Sequence, residues 1–151
     1  MKIEASVQNQ HHMHRAWVTT NGRETTLPIP SAPSGFGSGV NGGELLFLAL
    51  ATCYCNDLYR EASSRHITLT AVGVKVTGHF GGPGEPAREI TYRVTLAGDA
   101  DRDVLVALAQ HTDAVAEVHN TLRLGMPVEL AGIEIVSSDS VGGVWCDDVP
   151  P

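Results

Sequence analysis

Asn41-Gly42-Gly43-Glu44-Leu45-Leu46-Phe47-Leu48-Ala49-Leu50-Ala51-Thr52-Cys53 is the stretch on which the fold turns. Asn41 followed three positions later by Glu44 is the reciprocal pair in which a capping side chain and a carboxylate satisfy free N–H groups at a helix start. A helix of about twenty residues is expected from here to near Ser64. From Leu45 to Ala51 it is apolar on every side, and a helix with no polar face has to be surrounded by protein. Its second half, Asn56-Asp57-Leu58-Tyr59-Arg60-Glu61, is amphipathic and is expected to emerge towards solvent.

Upstream, Ile3, Ala5 and Val7 alternate with polar residues, the period-2 signature of a half-buried strand. Asn21-Gly22 suits a two-residue hairpin turn joining Ala16-Trp17-Val18-Thr19 to Thr25, Leu27 and Ile29. Prolines at 28, 30 and 33 and glycines at 35, 37 and 39 make the segment before the helix a loop. Downstream, Val72, Val74 and Val76 alternate as one strand and Ile90, Tyr92, Val94 and Leu96 as the next, across the Gly- and Pro-rich turn from Gly81 to Pro86. Asp99 or Asp101 is placed to cap a second helix that carries Val104, Leu105, Leu108, Thr112, Val115, Val118 and Leu122 at helical spacing. Gly125 and Pro127 stop it. Val128, Leu130, Ile133 and Ile135 suggest a last strand, with a bulge at Ala131-Gly132. Strands and helices grouped in this way argue for an α+β fold rather than a parallel α/β sheet.

The chain has 151 residues, 42% hydrophobic and 18% charged, the size of one domain with one core. Ten Lys and Arg against seventeen Asp and Glu leave a net charge of −7, which repels phosphate backbones and anionic lipid. No nucleic-acid partner is expected. No apolar run approaches the roughly 20 residues that span a bilayer, and the start of the chain is polar. The sequence therefore predicts a cytoplasmic protein with no membrane partner. Its three cysteines, Cys53, Cys55 and Cys146, do not make a secreted disulfide framework.

A helix turns about 100° per residue, which puts Cys53 on a stripe with Leu46, Ala49, Asn56, Asp57 and Arg60, and Cys55 on another with Leu48, Thr52, Leu58 and Tyr59. A disulfide between them would unwind the helix, and C-x-C is neither a redox couple nor a zinc spacing. Buried small hydrophobes are the ordinary role of such thiols. The polar neighbours Asn56, Asp57 and Arg60 distinguish Cys53. In His11-His12-Met13-His14, His12 and His14 would share a strand face, but two imidazoles leave a zinc shell incomplete and a polar strand end is the expectation. A metal held by His12, His14 and a cysteine across a dimer is a third possibility behind the two given below. Gly37-Ser38-Gly39-Val40-Asn41-Gly42 matches G-x-G-x-x-G, yet prolines stand where a nucleotide-binding strand should precede it. No cofactor and no resident metal are expected.

Residues 39–53 resemble the hallmark of the OsmC/Ohr family, the osmotically inducible protein C and organic hydroperoxide resistance proteins. There a Gly/Asn/Pro-rich loop leads into E-L-L-x-x-A-L-x-x-C on the central helix. Val118-His119-Asn120-Thr121-Leu122-Arg123-Leu124-Gly125-Met126-Pro127-Val128 is similar to that family's second-helix segment, C-P-V-S-N-T-L-R-x-G-x-P-V. The resemblance covers about residues 1–136 as a single domain and leaves 137–151 as a C-terminal tail.

The resemblance implies an intertwined homodimer, with antiparallel sheets wrapped around the central helices and a site at each end of the interface. It further implies a thiol-dependent peroxidase that reduces organic hydroperoxides, or a redox or stress-response protein that uses the same cysteine. Cys53 falls on the peroxidatic cysteine and Glu44 on the site glutamate, and Arg15 is the candidate for the activating arginine. A thiolate must attack the O–O bond, so positive charge near Cys53, from Arg15 or Arg60, is required. The resolving cysteine falls on Ala116 and the following proline on Glu117. Resolution would then need an external thiol reductant or Cys146, the candidate resolving cysteine of the tail. The alternative is a non-catalytic protein of this fold that binds a small lipophilic ligand at the dimer interface.

Overall fold

The computed structural model describes residues 1–132 as an α+β chain with two antiparallel sheets and three helices. Strands β1 (Ile3–Gln10), β2 (Met13–Thr20) and β3 (Arg23–Leu27) form a meander. The β2–β3 turn is the expected Asn21-Gly22, with φ of 50° and 83° at the two positions. The Pro- and Gly-rich segment that follows is more ordered than its composition suggests. Ser31 and Ser38 pair across it, and Asn9 clamps Gly37 by accepting from its N–H at 2.9 Å and donating to its carbonyl at 3.0 Å.

Helix α1 (Gly42–Ser64) starts as its sequence requires. Asn41 Oδ1 accepts from the Glu44 N–H at 3.0 Å and Glu44 Oε2 accepts from the Asn41 N–H at 2.7 Å. Strands β4 (Leu69–Phe80) and β5 (Ala87–Gly98) form the second hairpin, with Val72 opposite Leu96, Val74 opposite Val94 and Val76 opposite Tyr92. Its inner face lies on α1. Gly78 permits a close approach there, because a Cβ at that position would meet the Phe47 ring at 2.7 Å. Tyr54, Leu58, Ala62, Leu108 and Ala116 are the fully buried core, and Val72, Val74, Tyr92, Val94 and Leu96 lie against it.

The structure corrects two expectations about the helices. The second helix is broken: α2 (Arg102–Val115) ends, Ala116 is extended at ψ 110°, and α3 (Glu117–Arg123) restarts. Buried Ala116 needs little room against the core, the Asn120 side chain donates to the freed Ala114 carbonyl at 3.0 Å, and Arg123 donates to the Asp113 carbonyl at 2.9 Å. Periodicity is nearly blind to a one-residue break. Asp101 holds the N-cap position of α2 without a side-chain bond, while Asp99 accepts from the Thr68 N–H at 2.9 Å.

Within one chain the first half of α1 is not covered on every side, with Leu50 buried and Leu48 58% exposed, while its second half is amphipathic as expected, with Tyr54, Asp57, Leu58 and Ala62 buried and Asn56, Tyr59 and Arg60 exposed. The β4–β5 sheet, α2 and α3 cover one side only, and the β1–β3 sheet lies apart from the helices. No strand forms over Val128 and Leu130, while Ile133, Ile135, the 136/137 boundary and Cys146 lie outside the described residues.

Leu108 is fully buried between α1 and the sheet, so Leu108→Ala should destabilise the protein by about 2–5 kcal/mol in urea unfolding. A loss under about 1 kcal/mol would show that this core does not hold the fold.

Candidate active site

Cys53 lies mid-way along α1, half-buried, where the break at Ala116 brings the start of α3 against the helix. Its thiol donates to Asp57 Oδ2 at 3.4 Å, one turn on, as i, i+4 spacing allows. Asp57 is buried, and Arg60 Nη1 donates to its other oxygen at 2.7 Å. The same guanidinium reaches Glu117 Oε1 of α3 at 3.4 Å and Glu61 Oε1 at 3.3 Å. Glu61 in turn meets His111 Nε2 of α2 at 3.1 Å. One arginine thus ties together three carboxylates from two helices, of which Asp57 and Glu117 lie at the sulfur.

The electrostatics oppose a resting thiolate. Burial raises the Cys53 thiol above its ordinary range, the Val118 backbone N–H at the sulfur pulls it down, and Asp57 and Glu117 push it up. Cys53, Asp57 and Glu117 bring their ligand atoms within 4.8 Å of one another, the one such group among the described residues. Arg60 already supplies the cation for its two carboxylates.

The other sequence-derived residues are dispersed. Glu44 is spent on the helix cap, nine positions and some 13 Å of rise from Cys53 at about 1.5 Å per residue. Arg15 pairs with Glu24 at 3.3 Å and stacks 4.9 Å over Trp17 in the detached sheet. Asn56 turns to the opposite side, lining a shallow recess with Cys55, Ala51, Thr52 and Val74. His11 and His12 form the β1–β2 turn rather than a strand end, with His12 at φ 59° and His11 against Phe36. His14 meets Asn9 at 3.4 Å. Of the predicted set, Cys53, Asp57 and Arg60 are brought together.

Glu117 and His119 join the surroundings of the thiol and of the core without having been singled out as site residues from the sequence. Their signal was present as departures from C-P-V-S-N, where they replace proline and serine. His119 is 5% exposed between the rings of Tyr54 and Tyr92, at 5.6 and 4.9 Å. Burial and the nearby Arg123 hold its pKa down.

The family description "OsmC-like protein" matches residues 35–131, and the chain belongs to that family. Among solved structures, an OsmC-like protein from Mycoplasma pneumoniae superposes with a TM-score of 0.56 at 18% identity, covering 80% of this chain and 87% of that one. A candidate osmotic-stress-induced and detoxification-response protein from Psychrobacter arcticus gives 0.57 at 18% identity, over 78% and 85%. An organic hydroperoxide resistance protein, OsmC, from Legionella pneumophila gives 0.49 at 16% identity, over 82% and 90%. At 18% identity the likeness to the first two is one of fold. No curated protein sequence matches the chain significantly.

Because the thiol's pKa is raised, its thiolate fraction still grows about tenfold per pH unit through the neutral and mildly alkaline range. Alkylation of Cys53 by iodoacetamide, followed by peptide mass spectrometry, should therefore climb from about pH 7 to about pH 9 without levelling. A plateau at neutral pH would reveal a thiolate already formed.

Proposed function

We propose that the protein reduces organic hydroperoxides with Cys53 as its single reacting cysteine, activated at the moment of attack rather than ionised beforehand. The hydrogen bond from the thiol to Asp57, whose carboxylate Arg60 holds in place, carries this proposal. The sulfur attacks the terminal oxygen of the hydroperoxide while the S–H proton passes to Asp57. The O–O bond breaks, and the proton goes on to the departing alkoxide, giving a sulfenic acid on Cys53 and an alcohol. Arg60 keeps Asp57 oriented throughout. With alanine at 116, an external thiol attacks the sulfenic sulfur, releases water, and forms a mixed disulfide that a second thiol reduces.

The working unit is proposed to be a homodimer of residues 1–136, acting in the cytoplasm. Support comes from the all-apolar first half of α1, with Leu48 58% exposed, and from the detached β1–β3 sheet, whose Ile3 and Val7 are 57% and 62% exposed. Apolar surface of this extent on a single chain calls for a partner. No helix of the described residues is long and apolar enough to cross a membrane.

Mass spectrometry after one equivalent of cumene hydroperoxide should find a dimedone-trappable sulfenic acid on Cys53, and Cys53→Ser should abolish turnover with a reducing thiol. Asp57→Asn separates base from electrostatics. Hydroperoxide consumption should fall at least about 10²-fold for the loss of a general base. Alkylation of the same variant should quicken, because a negative neighbour is gone. No adduct on Cys53 would leave the ligand-binding alternative.

For the dimer, Leu48→Glu should shift sedimentation from a two-chain to a one-chain species. A wild-type monomer would refute it.

A further inference from the structure

The charges around Cys53 do not balance. Asp57 and Glu117 each bring a carboxylate oxygen within 4.8 Å of the sulfur, and Arg60 is the only Lys or Arg among the described residues that pairs with either. That guanidinium also meets Glu61 at 3.3 Å, so one positive charge answers three negative ones. His119, the other basic group close to Asp57, is pushed towards its neutral form by burial. The two carboxylates at the sulfur differ in access. The Asp57 side chain is 5% exposed and that of Glu117 is 66% exposed. A molecule that approaches the half-buried sulfur from solvent passes Arg60, whose charge Asp57 claims at 2.7 Å, and Glu117, which Arg60 holds only at 3.4 Å.

We propose that Glu117 selects the external thiol that reduces oxidised Cys53, favouring a thiol with a positive charge near its sulfur over one with a carboxylate there. The inference rests on the reading of Cys53 as the cysteine that becomes a sulfenic acid. In the reducing step the sulfur of the incoming thiol attacks the Cys53 sulfur. The S–S bond forms as the S–O bond breaks, and the hydroxyl leaves as water with the proton of the incoming thiol. Both sulfurs end in a mixed disulfide; the sulfenic sulfur is reduced and the thiol oxidised. An ammonium two carbons from the attacking sulfur comes within reach of the Glu117 carboxylate at that moment, because that carboxylate lies so close to the Cys53 sulfur. A unit charge at about 4 Å changes such an encounter severalfold even at the dielectric of water. A carboxylate in the same position meets the uncompensated negative charge and is repelled.

The test follows the loss of the dimedone-trappable sulfenic acid in the full-length protein, oxidised with one equivalent of cumene hydroperoxide at neutral pH and low salt. Cysteamine, 2-mercaptoethanol and 3-mercaptopropionate serve as the cationic, neutral and anionic thiols. Wild type and Glu117→Gln are compared by the ratio of the cysteamine rate to the 3-mercaptopropionate rate, in which any general change in Cys53 reactivity cancels. That ratio should fall at least about threefold in Glu117→Gln. Against 2-mercaptoethanol as reference, cysteamine should slow and 3-mercaptopropionate should quicken. In the wild-type protein the ratio should fall at least about twofold when salt is raised to about 1 M, which screens the carboxylate. A ratio unchanged in Glu117→Gln would overturn the proposal, as would a wild-type ratio that salt leaves unaltered. A wild-type protein that never gives the dimedone adduct would instead overturn the reading of Cys53 itself, and the thiol preference with it.

Discussion

Helix α1 has to be covered on all sides along its first half, and the rest of the structure answers to that need. Its capping box sets where the helix begins, so Leu45 to Ala51 enter the fold as a unit with no polar stripe to leave in water. The β4–β5 sheet, α2 and α3 meet the constraint on one side and build the core on Tyr54, Leu58 and Ala62. The other side, with Leu48 at its centre, stays open within one chain. An exposed apolar face of this kind is what the proposed homodimer would cover.

The same helix organises the chemistry. One turn of spacing puts Asp57 on Cys53, and one more residue type, the planar guanidinium of Arg60, makes a carboxylate cluster tolerable by bridging Asp57, Glu61 and Glu117. That cluster places a proton acceptor on the sulfur and at the same time keeps the thiol protonated at rest. The break at Ala116 matters as much as the ion pairs. By interrupting α2 it aims the Val118 N–H at the sulfur and sets His119 between two tyrosines. A continuous helix through residues 102–123 would carry these groups elsewhere.

Much of this architecture was legible in the residues. The capping pair, both hairpins, the Asn-Gly turn and the splaying of Cys53 and Cys55 all follow from local spacing, and the structure holds each of them. Less legible were features that depend on a second element. Glu44 matched the family's site motif, yet in this chain its carboxylate serves the helix cap. Arg15 was a candidate by position, yet it belongs to Glu24 and Trp17 in a sheet apart from α1. The histidine run looked like a strand end and is a turn, because a two-residue hairpin needs a positive φ that His12 adopts.

The sequence by itself determined the α+β class, the capped helix start and the candidate nucleophile, because capping, periodicity and helical spacing act over a few residues and need no partner. Only the tertiary structure decided which charges surround that nucleophile, where the second helix breaks and which histidine is left without a hydrogen bond. Those outcomes depend on α1, β5 and α3 meeting in space, and desolvation and charge proximity at such a meeting have no counterpart in the order of residues along the chain.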